Sequence, residues 1–182
     1  MKHPFFHLLF SLTLALSVGA HAEKADSNKP IDIEADQSDY DNVKQTQTMT
    51  GNVLIKRGTL EMKAAKAILR KDANGNQLAT LLATPGGLTS FRQKQDGGDL
   101  WIEGHAERIE YDSKAEQVKL FLKAKLKRRE GAKTMDEMEG ECIYYDSHSQ
   151  FLKVNNAANC ESKAGAGRIK IVIQPQTETK SN

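Results

Sequence analysis

The sequence predicts an all-β fold, a sandwich, barrel or jelly roll of short antiparallel strands. Three observations carry this: apolar and polar residues alternate in segment after segment, turn residues punctuate the segments, and one seven-residue phrase returns four times. Period-two alternation gives a strand one buried and one wetted face, because successive side chains leave opposite sides of the pleat. In chain order the segments are "IDIEA" (31–35), "GNVLIKR" (51–57), "TLEMKA" (59–64), "RIEYD" (108–112), "QVKLFLKAKLKRR" (117–129), "CIYYD" (142–146), "QFLKV" (150–154) and "RIKIVIQ" (168–174). Between them fall Arg57-Gly58, Asn74-Gly75-Asn76, Pro85-Gly86-Gly87, Asp96-Gly97-Gly98, Glu130-Gly131 and the stretch from Asp146 to Ser149, all turn chemistry. "EMKAAKAILRKD" (61–72) has the Ala and Lys content of a helix. It reads as strand because it begins inside an alternating run and fills a slot in the repeat.

The phrase is "ADQSDYD" from 35, "AKAILRK" from 65, "AERIEYD" from 106 and "GECIYYD" from 140, a spacing at which repeats build stacked units, so each copy is expected to be one rung. Its fourth place (Ile68, Ile109, Ile143) and sixth place (Tyr40, Tyr111, Tyr145) share a strand face. Ile31, Ile33 and Ala35 alternate out of step with Ser38 and Tyr40. A bulge or corner near residues 35–37 would reconcile the two phases.

Lys2, the apolar run "FFHLLFSLTLALSVGA" and Ala20-His21-Ala22 form a secretory signal peptide over 1–22, cleaved after Ala22; the alternative is a retained anchor. Residues 23–29 and 175–182 are polar and read as disordered tails, which leaves 30–174 as one domain. The protein is then expected outside the cytoplasm, and a net charge of +2 carries no nucleic-acid signature. In an oxidising compartment Cys142 and Cys160, with no C-x-x-C and no His pair at zinc spacing, read as a structural disulfide or as two buried thiols. Cys142 is out of phase with Ile143 and Tyr145, so it should point away from their face.

No catalytic pattern stands out. G-x-S-x-G, H-E-x-x-H and P-loop motifs are absent, and His105 between Glu103 and Glu107 lacks the P-C-x-x-C that would complete a zinc deaminase site. The chain therefore reads as a non-enzyme with no cofactor or metal. The basic run "KAKLKRR" (123–129) could hold phosphates. Its alternation with Ala124 and Leu126 favours a solvated outer face, neutralised by "MDEMEGE" (135–141).

The ordered set "IDIEADQSDYD", "TMTGNVLIKRGTLEMKAAKAIL", "SFRQKQDGG", "IEGHAERIEYD" and "GECIYYD", behind a signal peptide, resembles the OstA-like family of periplasmic lipopolysaccharide export proteins over residues 30–173. One departure is Leu122, where the second half of the family pattern has Gly in a repeat of the T-G-N-V turn. The cysteine pair also lies outside that pattern. The resemblance implies an open β-jelly roll, a V-shaped sandwich of two sheets whose apolar interior carries lipid A acyl chains across the periplasm for outer-membrane assembly. It implies an inner-membrane export partner (LptC-like) at the N-terminal edge, near 30–35. At the C-terminal edge, near 168–174, it implies an outer-membrane translocon (LptD-like) or another copy, joined head to tail. Moving a chain of a dozen methylenes through water costs on the order of 10 kcal/mol, at ~0.8 kcal/mol per CH₂, and a continuous apolar trough removes most of that barrier.

On this reading the trough is lined by Ile31, Ile33, Val53, Ile55, Leu60, Met62, Ile68, Phe91, Ile109, Tyr111, Leu120, Leu126, Ile143, Tyr145 and Leu152. Ile31, Ile33 and Phe91 are expected near an open end. The plainer alternative is that all are sealed core, since alternation identifies an inward face without saying whether the inside is filled. A different class also fits: a lectin-like jelly roll that binds envelope glycan, with Trp101 as its aromatic platform. A conduit needs its apolar face to continue to both sheet edges, whereas a lectin closes its core and binds on loops.

Overall fold

Alternation makes the strands, and hydrogen-bond register decides how they stack. The computed structural model describes Asp26 and residues 28–175, so the expected signal peptide and the tail beyond Pro175 lie outside the described residues. Twelve strands follow one another: β1 (Asp32–Glu34), β2 (Gln37–Asp41), β3 (Thr46–Arg57), β4 (Leu60–Lys71), β5 (Gln77–Leu82), β6 (Thr89–Lys94), β7 (Leu100–Ala106), β8 (Arg108–Asp112), β9 (Gln117–Glu130), β10 (Lys133–Asp146), β11 (Phe151–Asn155) and β12 (Lys170–Ile173). All pairings are antiparallel.

β3, β4, β9 and β10 are long enough to serve two layers, and each gives half its length to each. Layer I runs β2-β3-β4-β5-β8-β9-β10-β11; layer II runs β1-β3-β4-β6-β7-β9-β10-β12. The pattern short, short, long, long, short, short thus occurs twice, and this explains the repeated phrase. Its copies fall on β2, the second half of β4, β8 and the second half of β10, which are alternate strands of layer I running in one direction. The expected corner at 35–37 is the break between β1 and β2, where the Asp36 N–H donates to the Gly51 carbonyl at 3.0 Å.

The long strands turn from one layer to the other at register shifts, between Thr50 and Val53 on β3 and between Gly140 and Cys142 on β10. At the first corner Gly51 (φ 80°) and Asn52 (φ 44°) supply positive φ; at the equivalent place β9 has Leu122 (φ 63°) and Lys123 (φ 51°). The bend survives the missing glycine because the paired strands on both sides over-determine it, and holding a non-glycine residue there costs roughly 1–3 kcal/mol. Leu122 is also 40% exposed, so its side chain repays little of that cost. Leu122→Gly should therefore stabilise the protein by about 1 kcal/mol, read as a higher urea midpoint at unchanged slope.

Layer II carries charge on its outside. The run 123–129 lies across from acidic neighbours, with Lys125 to Glu139 at 2.8 Å, Lys127 to Glu137 at 2.9 Å, Lys123 to Glu107 at 2.6 Å and Arg129 to Glu103 at 3.3 Å. It is the neutralised outer face its alternation indicated. Cys142 and Cys160 are bonded, with Cα atoms 5.1 Å apart. Cys142 shares its register position with Phe121 and Arg108, on the face opposite Ile143 and Tyr145, and the Arg108 guanidinium lies 4.1 Å over the Phe121 ring. The bridge pins the loop after β11 onto layer I from outside. Replacing both cysteines by alanine should cost ~3 kcal/mol and leave ligand selectivity unchanged, measured by denaturation alongside intact mass without reductant.

Candidate apolar conduit

The registers align inward side chains into rows that cross every strand of a layer. In layer I one row is Ser38, Met49, Ala67, Leu81, Ile109, Leu120, Ile143 and Val154; the next is Tyr40, Gln47, Leu69, Ala79, Tyr111, Val118, Tyr145 and Leu152. In layer II the row is Ile33, Ile55, Met62, Phe91, Gly104, Leu126, Met138 and Ile171, apolar from one edge strand to the other. The layers touch at its middle. A Cβ on Gly104 would meet Phe91 Cε1 at 2.2 Å and, from layer I, Leu120 Cδ2 at 2.7 Å.

Val53, Ile55, Leu60, Met62, Phe91, Ile109, Tyr111, Leu120, Leu126, Ile143 and Tyr145 are buried in one core, with Ile31, Ile33 and Leu152 packed against it. Two expectations need correction. Ile68 lies on the outer face, level with Thr48 and Thr80; the inward neighbours on its strand are Ala67 and Leu69. The chain crosses the corner between Ala64 and Ala67 in three residues, so alternation changes phase there and a count carried from Ala65 is one residue out. Phe91 is not near an open end: β6 is in mid-layer and Phe91 is 1% exposed. Met49, Leu69, Leu81, Ile102, Val118 and Met138 also face this interior without having been singled out in the sequence.

At the β1 end a cavity lies between Ile31, Ile55, Arg57, Leu60 and Met62 of one layer and Leu69, Ala79, Tyr111 and Ser113 of the other. It holds about 20 Å³, room for one water-sized sphere. Two polar bridges close the rim opposite the corners. Arg57 Nη1 donates to the Ser113 carbonyl at 3.3 Å and Arg57 also bonds the Tyr111 hydroxyl; Gln95 Nε2 donates to the Tyr145 hydroxyl at 3.0 Å. Burial pushes the Tyr111 hydroxyl pKa up, against the opposing pull of Arg57, so it stays neutral. Each such bond is worth about 1 kcal/mol net, well below the ~10 kcal/mol recovered by burying a dozen methylenes. A long acyl chain can therefore part the rims at a favourable balance.

Trp101 is not a free platform. The Arg92 guanidinium lies 3.9 Å over its ring and its indole N–H donates to Asp99 at 2.8 Å. His105 is exposed on the outer face, and among the described residues no three His, Cys, Asp or Glu side chains are placed to hold a metal.

Residues 32–151 match the family model described as LptA/(LptD N-terminal domain) LPS transport protein. The chain belongs to that family. Among LptA family members, it is 31% identical to the lipopolysaccharide export system protein LptA of Haemophilus influenzae over 169 residues, 92% of this chain and 91% of the relative. It is 34% identical to LptA of Escherichia coli K12 over 175 residues, 96% of this chain and 88% of that one. The crystal structure of LptH from Pseudomonas aeruginosa superposes with a TM-score of 0.71 at 24% identity, covering 83% of this chain and 99% of LptH. That likeness establishes the fold, the open β-jelly roll of the LptA family.

Proposed function

We propose that the protein binds lipopolysaccharide by its lipid A acyl chains between the two layers and carries it across the periplasm toward the outer membrane. The observation that carries this reading is the row from Ile33 to Ile171, which keeps an apolar surface through to both edge strands, as a conduit requires and a closed lectin core does not. Eight strands at ~4.8 Å spacing give a path of roughly 34 Å, so one domain spans only part of a periplasm and several copies in line extend it. Its work is physical, the replacement of water by an apolar wall along a path, with no bond made or broken. Contact falls on the interior residues proposed above, without Ile68 and with Leu69, Met49 and Met138 added. The β1 edge receives lipid from an inner-membrane, LptC-like partner, and the β12 edge passes it to a second copy or an LptD-like translocon. Protein purified after export should release lipid A on organic extraction, identified by mass spectrometry; release of acyl-free glycan alone would refute the reading.

A further inference from the structure

Asp26 belongs to the stretch expected to be a disordered tail, yet it is 4% exposed. Its carboxylate accepts from the Thr59 backbone N–H at 2.8 Å, the Thr59 hydroxyl at 2.5 Å and the Gln93 amide at 3.4 Å, and its carbonyl accepts from the Lys29 N–H at 3.0 Å. Gly58 clears the space: a Cβ there would come within 1.9 Å of the Asp26 carboxylate. The site thus gathers a backbone amide, a hydroxyl and a side-chain amide, all aimed at one anion, in a pocket that admits no side chain at position 58. These donors come from the β3–β4 turn and from β6, on the rim of layer II. Arg57 leads into the same turn, and the Tyr111 hydroxyl it bonds lies in the field of Asp26 as well, so the cradle opens beside the cavity.

We propose that this cradle is a phosphate subsite for the glycolipid headgroup and that Asp26 fills it as a built-in stand-in anion, which the ligand displaces. The proposal rests on the lipopolysaccharide-binding reading. The donor set that satisfies a carboxylate suits a phosphate oxygen equally. Acyl chains in the cavity would bring the phosphorylated sugars of lipid A to this rim. Asp26 precedes β1, so its departure breaks no strand pairing. The chain then satisfies the cradle itself when no ligand is present and yields it to a ligand that offers an anion.

The test compares mature wild type, Asp26→Ala and the double variant Asp26→Ala/Thr59→Val for binding of diphosphoryl lipid A and dephosphorylated lipid A in detergent micelles. Asp26→Ala should bind the diphosphoryl form about tenfold more tightly, a difference of ~1.4 kcal/mol, bind the dephosphorylated form as wild type does, and lose the gain when Thr59→Val is added. Hydrogen exchange on wild type should show the Lys29 amide, which donates to the Asp26 carbonyl, losing protection, and Thr59 keeping it, with diphosphoryl lipid A only. Unchanged or equal tightening for both lipids overturns the subsite while leaving lipopolysaccharide binding intact. Wild type that binds neither lipid overturns both.

Discussion

A covalent tether between positions 57 and 113 should reduce lipopolysaccharide binding at least about tenfold, more than ~1.4 kcal/mol, with the fold unchanged. Arg57 and Ser113 stand on opposite rims and are already joined at 3.3 Å by a hydrogen bond. The native cysteines are in their disulfide and none is free, so in Arg57→Cys/Ser113→Cys a photocleavable bifunctional reagent meets only the introduced thiols. The cavity behind this rim has about 20 Å³, far less than an acyl chain needs, so binding requires the layers to part. Breaking a few hydrogen bonds at about 1 kcal/mol each is easily offset by ~10 kcal/mol of apolar burial. A covalent tether cannot be offset in this way. Light should restore binding to that of the untethered variant; tethered protein that binds as well as untethered would mean that ligand does not pass between these rims.

A chain that stops after Gly167 should run as single molecules at concentrations where the full chain forms long assemblies, and it should still capture lipid. β12 pairs with β10 alone, and its apolar residues are uncovered, with Ile171 at 48% and Ile173 at 78% exposure. Proteins usually guard such an edge with charge, proline or a bulge; here Lys170 is the only charge on the strand. An edge of this kind accepts a second chain by strand addition, and a contact between unlike edges, β12 of one copy and β1 of the next, propagates without closing. After truncation the layer II row keeps seven of its eight strands and the layer I rows keep all eight, so lipid capture persists. Sedimentation velocity reads the assembly and photo-capture reads the lipid. Long assemblies of the truncated chain would place the contact elsewhere.

Legibility in the sequence followed local strength of signal. Ile109, Tyr111, Ile143 and Tyr145 stood in clean alternation and lie in the core. Leu69 and Ile68 were exchanged because the chain changes layer between Ala64 and Ala67, and a phase change inside a continuous strand leaves no mark in composition. The strands β5, β6 and β7 were missed as elements: "QLATLL" and "TSFRQK" are short and "LWIEGHA" places a glycine mid-strand, where the Phe91 ring and the Leu120 side chain leave no room for a Cβ. Leu122 shows the converse. The bend it occupies lacks the glycine of the family pattern, yet pairing with β8 and β10 imposes positive φ there regardless. The rim bridges and the Asp26 cradle join residues 33 to 67 positions apart, and no sequence pattern encodes such meetings.

Adjacent positions on one strand offer the sharpest test of whether ligand travels between the layers. Leu69 lines the cavity and Ile68, one residue away, faces outward among Thr48 and Arg70. A photo-crosslinking amino acid at position 69 should capture labelled lipopolysaccharide, while the same amino acid at 68 should not. Equal capture at the two positions, or capture at 68 alone, would contradict transport through the interior.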